Sequence, residues 1–204
     1  MALSNGEFDA LLARSETEVS HASLCQLSAD LTRVPFFPRE HRDALKRVMS
    51  AALVELGVEY LSGGTAIGAV VLMHMCDFDQ LRAVPLVISL LQWQKMPQRE
   101  FVNTELALFD AELTTQLPKL AAHLQKLQVT SSLFALSPLL SMCSLAFKPT
   151  VTHRLLTESL RSEFAVAFRN VMLAFLRSIE TELLAADSFE TAIVLLHERQ
   201  KDFE

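Results

Sequence analysis

The sequence predicts an all-α fold, and three observations carry that prediction. Half of the 204 residues are hydrophobic and the mean hydropathy is +0.28, so the chain has the apolar area for a sizeable core. Its apolar positions are held mostly by Leu and Ala, which favour helix, rather than by alternating Val, Ile and Thr, which favour strand. Only 5 Gly and 7 Pro interrupt them, too few for a chain of many tight turns. With no repeat period, linker or low-complexity tract, the expectation is about ten or eleven helices in one compact domain and no sheet.

Taken in order, Ser4 and Glu7 form a capping box that opens a short helix through FDALLAR. A second helix runs through TEVSHASLCQLSADLT with Leu24, Leu27 and Leu31 on one face, and stops at Arg33 because VPFFP cannot continue it. The third, PREHRDALKRVMSAALVEL, turns Leu45, Val48, Met49, Ala52 and Leu56 inward and ends on Gly57 as a left-handed cap. A helix opened by Ser62 follows, and the region from Asp77 to Leu91 is helical in composition but broken at Pro85. Val102, Leu106, Phe109, Leu113 and Leu117 mark an amphipathic helix, and PKLAAHLQKL begins the next with Pro118 in its first turn. Thr130, Ser131 and Ser132 offer caps for SLFALSPLLSMCSLA, which Pro138 should kink or split. THRLLTESL leads to the stripe Phe164, Phe168, Val171, Phe175, Ile179, Leu183, and Asp187 with Glu190 caps a last helix.

A net charge of -6 provides no basic field for a phosphate backbone, which argues against a nucleic-acid partner. The odd, widely spaced Cys25, Cys76 and Cys143 suit reduced core thiols in the cytosol, and MALSNGEFDALLARSE does not read as a secretory signal. The six histidines make no zinc-ligand pattern, so neither a metal nor another cofactor is expected, and no nucleophile motif is present. Leu72, Met73 and Met75 read as core filler and His74 as packing at a helix end. Trp93 and the Phe36–Phe37 pair read either as buried or as interface anchors.

The stretch GVEYLSGGTAIGAVVLMHM has three possible readings. A phosphate-cradling loop needs a lysine after a strand, and this stretch has neither. A membrane span needs about 20 apolar residues, and Ser62, Gly63, Gly64, Thr65 and His74 interrupt this run. A tight turn opening a helix that is hydrophobic nearly all round remains, with Gly64 and Gly68 admitting a close neighbour. Tyr60, Leu61 and Ser62 then lie at the surface before the helix N-terminus. There Ser62 is either a simple N-cap contributing about 1 kcal/mol or a group acting on an anionic partner.

Three segments resemble the TBC domain, the GTPase-activating domain for Rab small GTPases. LSADLTR, with Leu27, Asp30 and Arg33, resembles the family's arginine-finger motif. GVEYLSGG aligns with Gly-Tyr-x-Gln-Gly-Met, setting Tyr60 on the tyrosine and Gly63 on the second glycine. Leu106 to Cys143 is similar to a Leu-Pro-x-Leu helix followed by a Ser-Leu-Phe-Ala helix. The resemblance runs from about Phe8 to Leu184 and implies a single two-lobed, all-helical domain over residues 1–204, with lobes of about 1–100 and 101–204. It implies a GTP-bound Rab-family GTPase as partner, with Asp30, Tyr60 and Gly63 in the contact. It also implies two groups supplied in trans: an arginine, here Arg33, that neutralises charge on the transferred phosphoryl group, and a glutamine that positions water. Such an arginine is worth about 10³–10⁵ in rate.

The glutamine position holds Ser62, whose hydroxyl is shorter and cannot place a donor and an acceptor at the same reach. Loss of one preorganised group of this kind costs on the order of 10²–10³ in rate. Two readings stay open: an activator of weakened activity using Arg33, or a TBC-like module that binds without accelerating hydrolysis. Either is expected to be cytoplasmic and to reach endomembranes only through partners, since no segment reads as transmembrane.

Overall fold

The computed structural model describes residues 2–34, 36–60, 63–92, 98–159 and 162–204. Among them are twelve α-helices and no strand, and the chain divides into two compact units, Met1–Pro97 and Gln98–Glu204. The first unit holds α1 (Asn5–Glu18), α2 (His21–Leu31), α3 (Arg42–Leu56), α4 (Gly64–Met73) and α5 (Gln80–Leu91), with 3-10 turns at Arg39–His41 and Cys76–Phe78. The Ser4–Glu7 capping box is present, and α1 runs well past the expected FDALLAR to Glu18. The second helix therefore starts later than expected, at His21, where the Ser20 hydroxyl accepts the Ser23 amide. Leu45, Val48, Met49, Ala52 and Leu56 of α3 are all buried, and Gly57 ends the helix at φ 64°, which glycine adopts without Cβ strain.

Every residue of α4 from Gly64 to Leu72 is buried, so this helix is the centre of the unit, against α2, α3 and α5. Gly68 makes the close approach possible, since a Cβ there would lie 2.6 Å from Met49 Sδ and 3.0 Å from Leu45 Cδ1. Burial stops sooner than the sequence suggested. Met73, 41% exposed, and His74 lie at the surface, because α4 ends there and the chain turns through the Cys76–Phe78 3-10 element. Phe37 is buried, edge-on to Phe78 at 5.9 Å, while Trp93 lies outside the described residues.

Pro85 does not break α5, which is continuous from Gln80 to Leu91. A proline removes the amide that would bond the carbonyl four residues back. Here that carbonyl, Leu81 O, accepts instead from the Leu3 amide at 3.0 Å.

The second unit holds α6 (Gln98–Gln116), α7 (Pro118–Lys126), α8 (Ser131–Leu140), α9 (Pro149–Ser159), α10 (Phe164–Ser178), α11 (Glu180–Ala185) and α12 (Phe189–Asp202). α6 packs on α7, α8 and α10, and the fully buried Phe109, Phe134, Phe168 and Phe175 lie among these helices. Pro138 also sits inside its helix, in the last turn of α8, without splitting it. The carbonyl it leaves without an amide, Phe134 O, accepts from the buried Gln200 side chain at 2.8 Å. Thr130 stands at the N-cap of α8 but its hydroxyl pairs with Ser132, and the last helix is capped by Ser188 rather than Asp187. Cys143 is buried as expected, whereas Cys25, on an outward position of α2, and Cys76, in the 3-10 turn after α4, are exposed.

Candidate functional site

The end of α2 carries Asp30 and the following turn carries Arg33, whose amide bonds the Asp30 carbonyl at 2.9 Å. That turn projects the side chain outward. The Arg33 side chain is 74% exposed, and its Nη1 donates to Asp30 Oδ1 at 3.1 Å, while the Asp30 side chain is only 8% exposed. An exposed guanidinium held at one edge by a buried carboxylate keeps the donors of its other edge open to an anionic ligand.

Asp30 is fixed from the other side. The Tyr60 hydroxyl donates to Asp30 Oδ2 at 2.9 Å and lies 2.5 Å from Thr65 Oγ1 in the first turn of α4. This overturns the surface position expected for Tyr60, which is 6% exposed, because its ring lies in the core while its phenol reaches the end of α2. Burial pushes the phenol above its ordinary range, with the Asp30 carboxylate acting in the same direction and Thr65 against it. The tyrosine is thus a neutral donor at any physiological pH.

Gly63 is the N-cap of α4 at φ 97°, a conformation that suits glycine, and its carbonyl accepts the Ala66 and Ile67 amides. The N-cap is therefore Gly63 and not Ser62. Ser62 and Leu61 lie outside the described residues. Of the residues the sequence singled out, the fold joins Arg33, Asp30 and Tyr60 in one hydrogen-bonded chain and sets Gly63 three residues beyond Tyr60.

Sequence reading missed Thr65, Ser20, Ser23 and Glu59. The Glu59 carboxylate accepts the hydroxyls of Ser20 and Ser23, and Ser23 Oγ accepts the Tyr60 amide at 2.9 Å. Ser20 was legible as an N-cap before an apolar periodic run. The bonds from Glu59 cross 36 and 39 residues and leave no local signal.

The model of the Rab-GTPase-TBC domain family matches residues 8–184. Among solved structures, the chain is similar to the Chlamydomonas flagellar RabGAP TBC domain, with a TM-score of 0.80 and 19% identity over 97% of this chain and 67% of that one. It is also similar to the Ypt/Rab-GAP domain of Gyp1p, with a TM-score of 0.79 and 16% identity over 98% of this chain and 74% of that one. At these identities the likeness is one of fold. No curated protein matches the chain.

Proposed function

The chain belongs to the Rab-GTPase-TBC domain family, and from that membership we propose that it regulates Rab-type small GTPases as an activator inserting Arg33 in trans. The observation that carries this reading is the Arg33 guanidinium, 74% exposed yet anchored on a buried Asp30. Hydrolysis of GTP spreads negative charge over the oxygens of the transferred phosphoryl group, and a planar cation delivered there stabilises that charge more than it stabilises the ground state. Asp30 acts as the orienting partner, and Tyr60 holds Asp30. The activator holds no substrate of its own, since the reacting bond is in the GTP bound to the GTPase.

Water positioning is the weak point. Ser62 stands where the family carries its glutamine, so stimulation should be low unless the GTPase's own glutamine orients the water. No described helix is long and apolar enough to cross a membrane. Association with endomembranes would come through the GTP-bound partner.

Single-turnover GTP hydrolysis by a panel of Rab proteins tests this. Weak stimulation is expected from the wild type, its loss in Arg33→Ala, and a rise of on the order of 10-fold or more in Ser62→Gln. Binding to a Rab with neither substitution changing the rate would favour the second reading, a TBC-like binding module, which the Ser62 replacement already supports. No binding to any member would end both.

A further inference from the structure

Four hydrogen bonds at the start of α2 form one connected set that ends on Glu59. The Ser23 amide donates to Ser20 Oγ at 3.2 Å, and the Tyr60 amide donates to Ser23 Oγ at 2.9 Å. Both hydroxyls then donate to the same oxygen of Glu59, Oε2. A hydroxyl can donate in either direction, but a carboxylate only accepts, so Glu59 fixes the polarity of the whole set. Charge assistance makes the last two bonds the strong ones. At the far end of the same helix, the Tyr60 phenol donates to Asp30.

Residues 59 and 60 are thereby attached to both ends of α2: by the Glu59 carboxylate and Tyr60 amide at its first turn, and by the Tyr60 phenol at its last. A tyrosine has only two side-chain torsions to span that distance. Where its backbone is held along α2 decides whether the hydroxyl meets Asp30 Oδ2. We propose that Glu59 is a positioning residue for Arg33, its clasp on Ser20 and Ser23 setting the register of Tyr60 along α2 and thereby the Asp30 carboxylate on which the guanidinium rests. This rests on the activator reading for its effect on rate, but not for its effect on Tyr60.

Tyr60 is the only tyrosine in the chain, so a ring-¹³C-labelled sample gives one phenol resonance that reports its hydrogen bonding without any GTPase. Glu59→Ala should move that resonance toward the position of free tyrosine, with helix content by circular dichroism unchanged. It should lower the maximal stimulated rate by about 10–100-fold, as misplacement of a catalytic group does, while the half-saturating concentration stays put. Glu59→Gln keeps an acceptor of the same shape and should restore most of both signals, which guards against a variant that merely fails to fold. An unmoved Tyr60 resonance in Glu59→Ala overturns the proposal, as does a rise in half-saturating concentration with the maximal rate intact, which would make Glu59 a contact residue. If wild type stimulates no Rab, the activator reading fails by itself, and the Tyr60 resonance still decides whether Glu59 sets the register of Tyr60.

Discussion

Met142 and Cys143, at φ 48° and 66°, are consecutive non-glycine residues in the left-handed region, both fully buried in the turn that ends α8. A side chain in that region costs roughly 1–2 kcal/mol, offset here by the Cys143 amide bonding Pro138 O at 2.7 Å and by burial of both side chains. Burial also drives the Cys143 thiol well above its ordinary range, since desolvation disfavours the charged thiolate. Cys25 and Cys76 are exposed. A disulfide reagent at pH 8 should therefore titrate Cys25 and Cys76 quickly in the native protein and reach Cys143 only at the rate of unfolding. Rapid reaction of all three thiols would contradict the packing of that turn.

Each of two helices tolerates an internal proline because a distant donor serves the carbonyl it strands. An interior proline costs about 3 kcal/mol or more, part of it from the lost hydrogen bond. In α5 the Leu3 amide replaces the missing donor, and in α8 the Gln200 side chain does so from α12. Gln200→Leu should lower stability by about 1–3 kcal/mol by leaving Phe134 O buried and unpaired. In a Pro138→Ala background the helix supplies its own amide, and the same substitution should cost clearly less. Chemical denaturation of the four proteins of this double-mutant cycle measures the difference, and strictly additive effects would show that Gln200 does not stand in for the proline's amide.

At the scale of a whole unit, a charged cluster within residues 98–204 ties α10 to α6. Arg169 of α10 donates from Nη1 to Glu105 at 2.5 Å and from Nε to Glu112 at 2.8 Å, both on α6, with the Arg169 side chain only 11% exposed. Forming such a cluster gains little over apolar packing, but removing the cation leaves the Glu105 carboxylate, only 13% exposed, without its counter-charge. Arg169→Ala should cost about 3–5 kcal/mol in urea denaturation, and Arg169→Met together with Glu105→Gln considerably less. Equal losses for the two would mean that packing, not charge, sets the contribution of this site.

Spacing along the chain determined the all-helical class, the inward face of α3, the Gly57 cap and the burial of α4, because each depends on residues within about two turns of one another. Arg33 with Asp30 was legible through the resemblance of LSADLTR to the family's motif, and residues three apart at a helix end are close enough to pair. Tertiary structure alone decided that Tyr60 lies inside and braces Asp30 across 30 residues, that Gln200 answers Pro138 from 62 residues away, and that Glu59 gathers the hydroxyls of α2. A hydrogen-bond partner supplied from a remote segment changes the energy of a proline or a buried phenol without altering any residue near it. Local pattern carries no trace of such a partner, and only the packed chain brings it into reach.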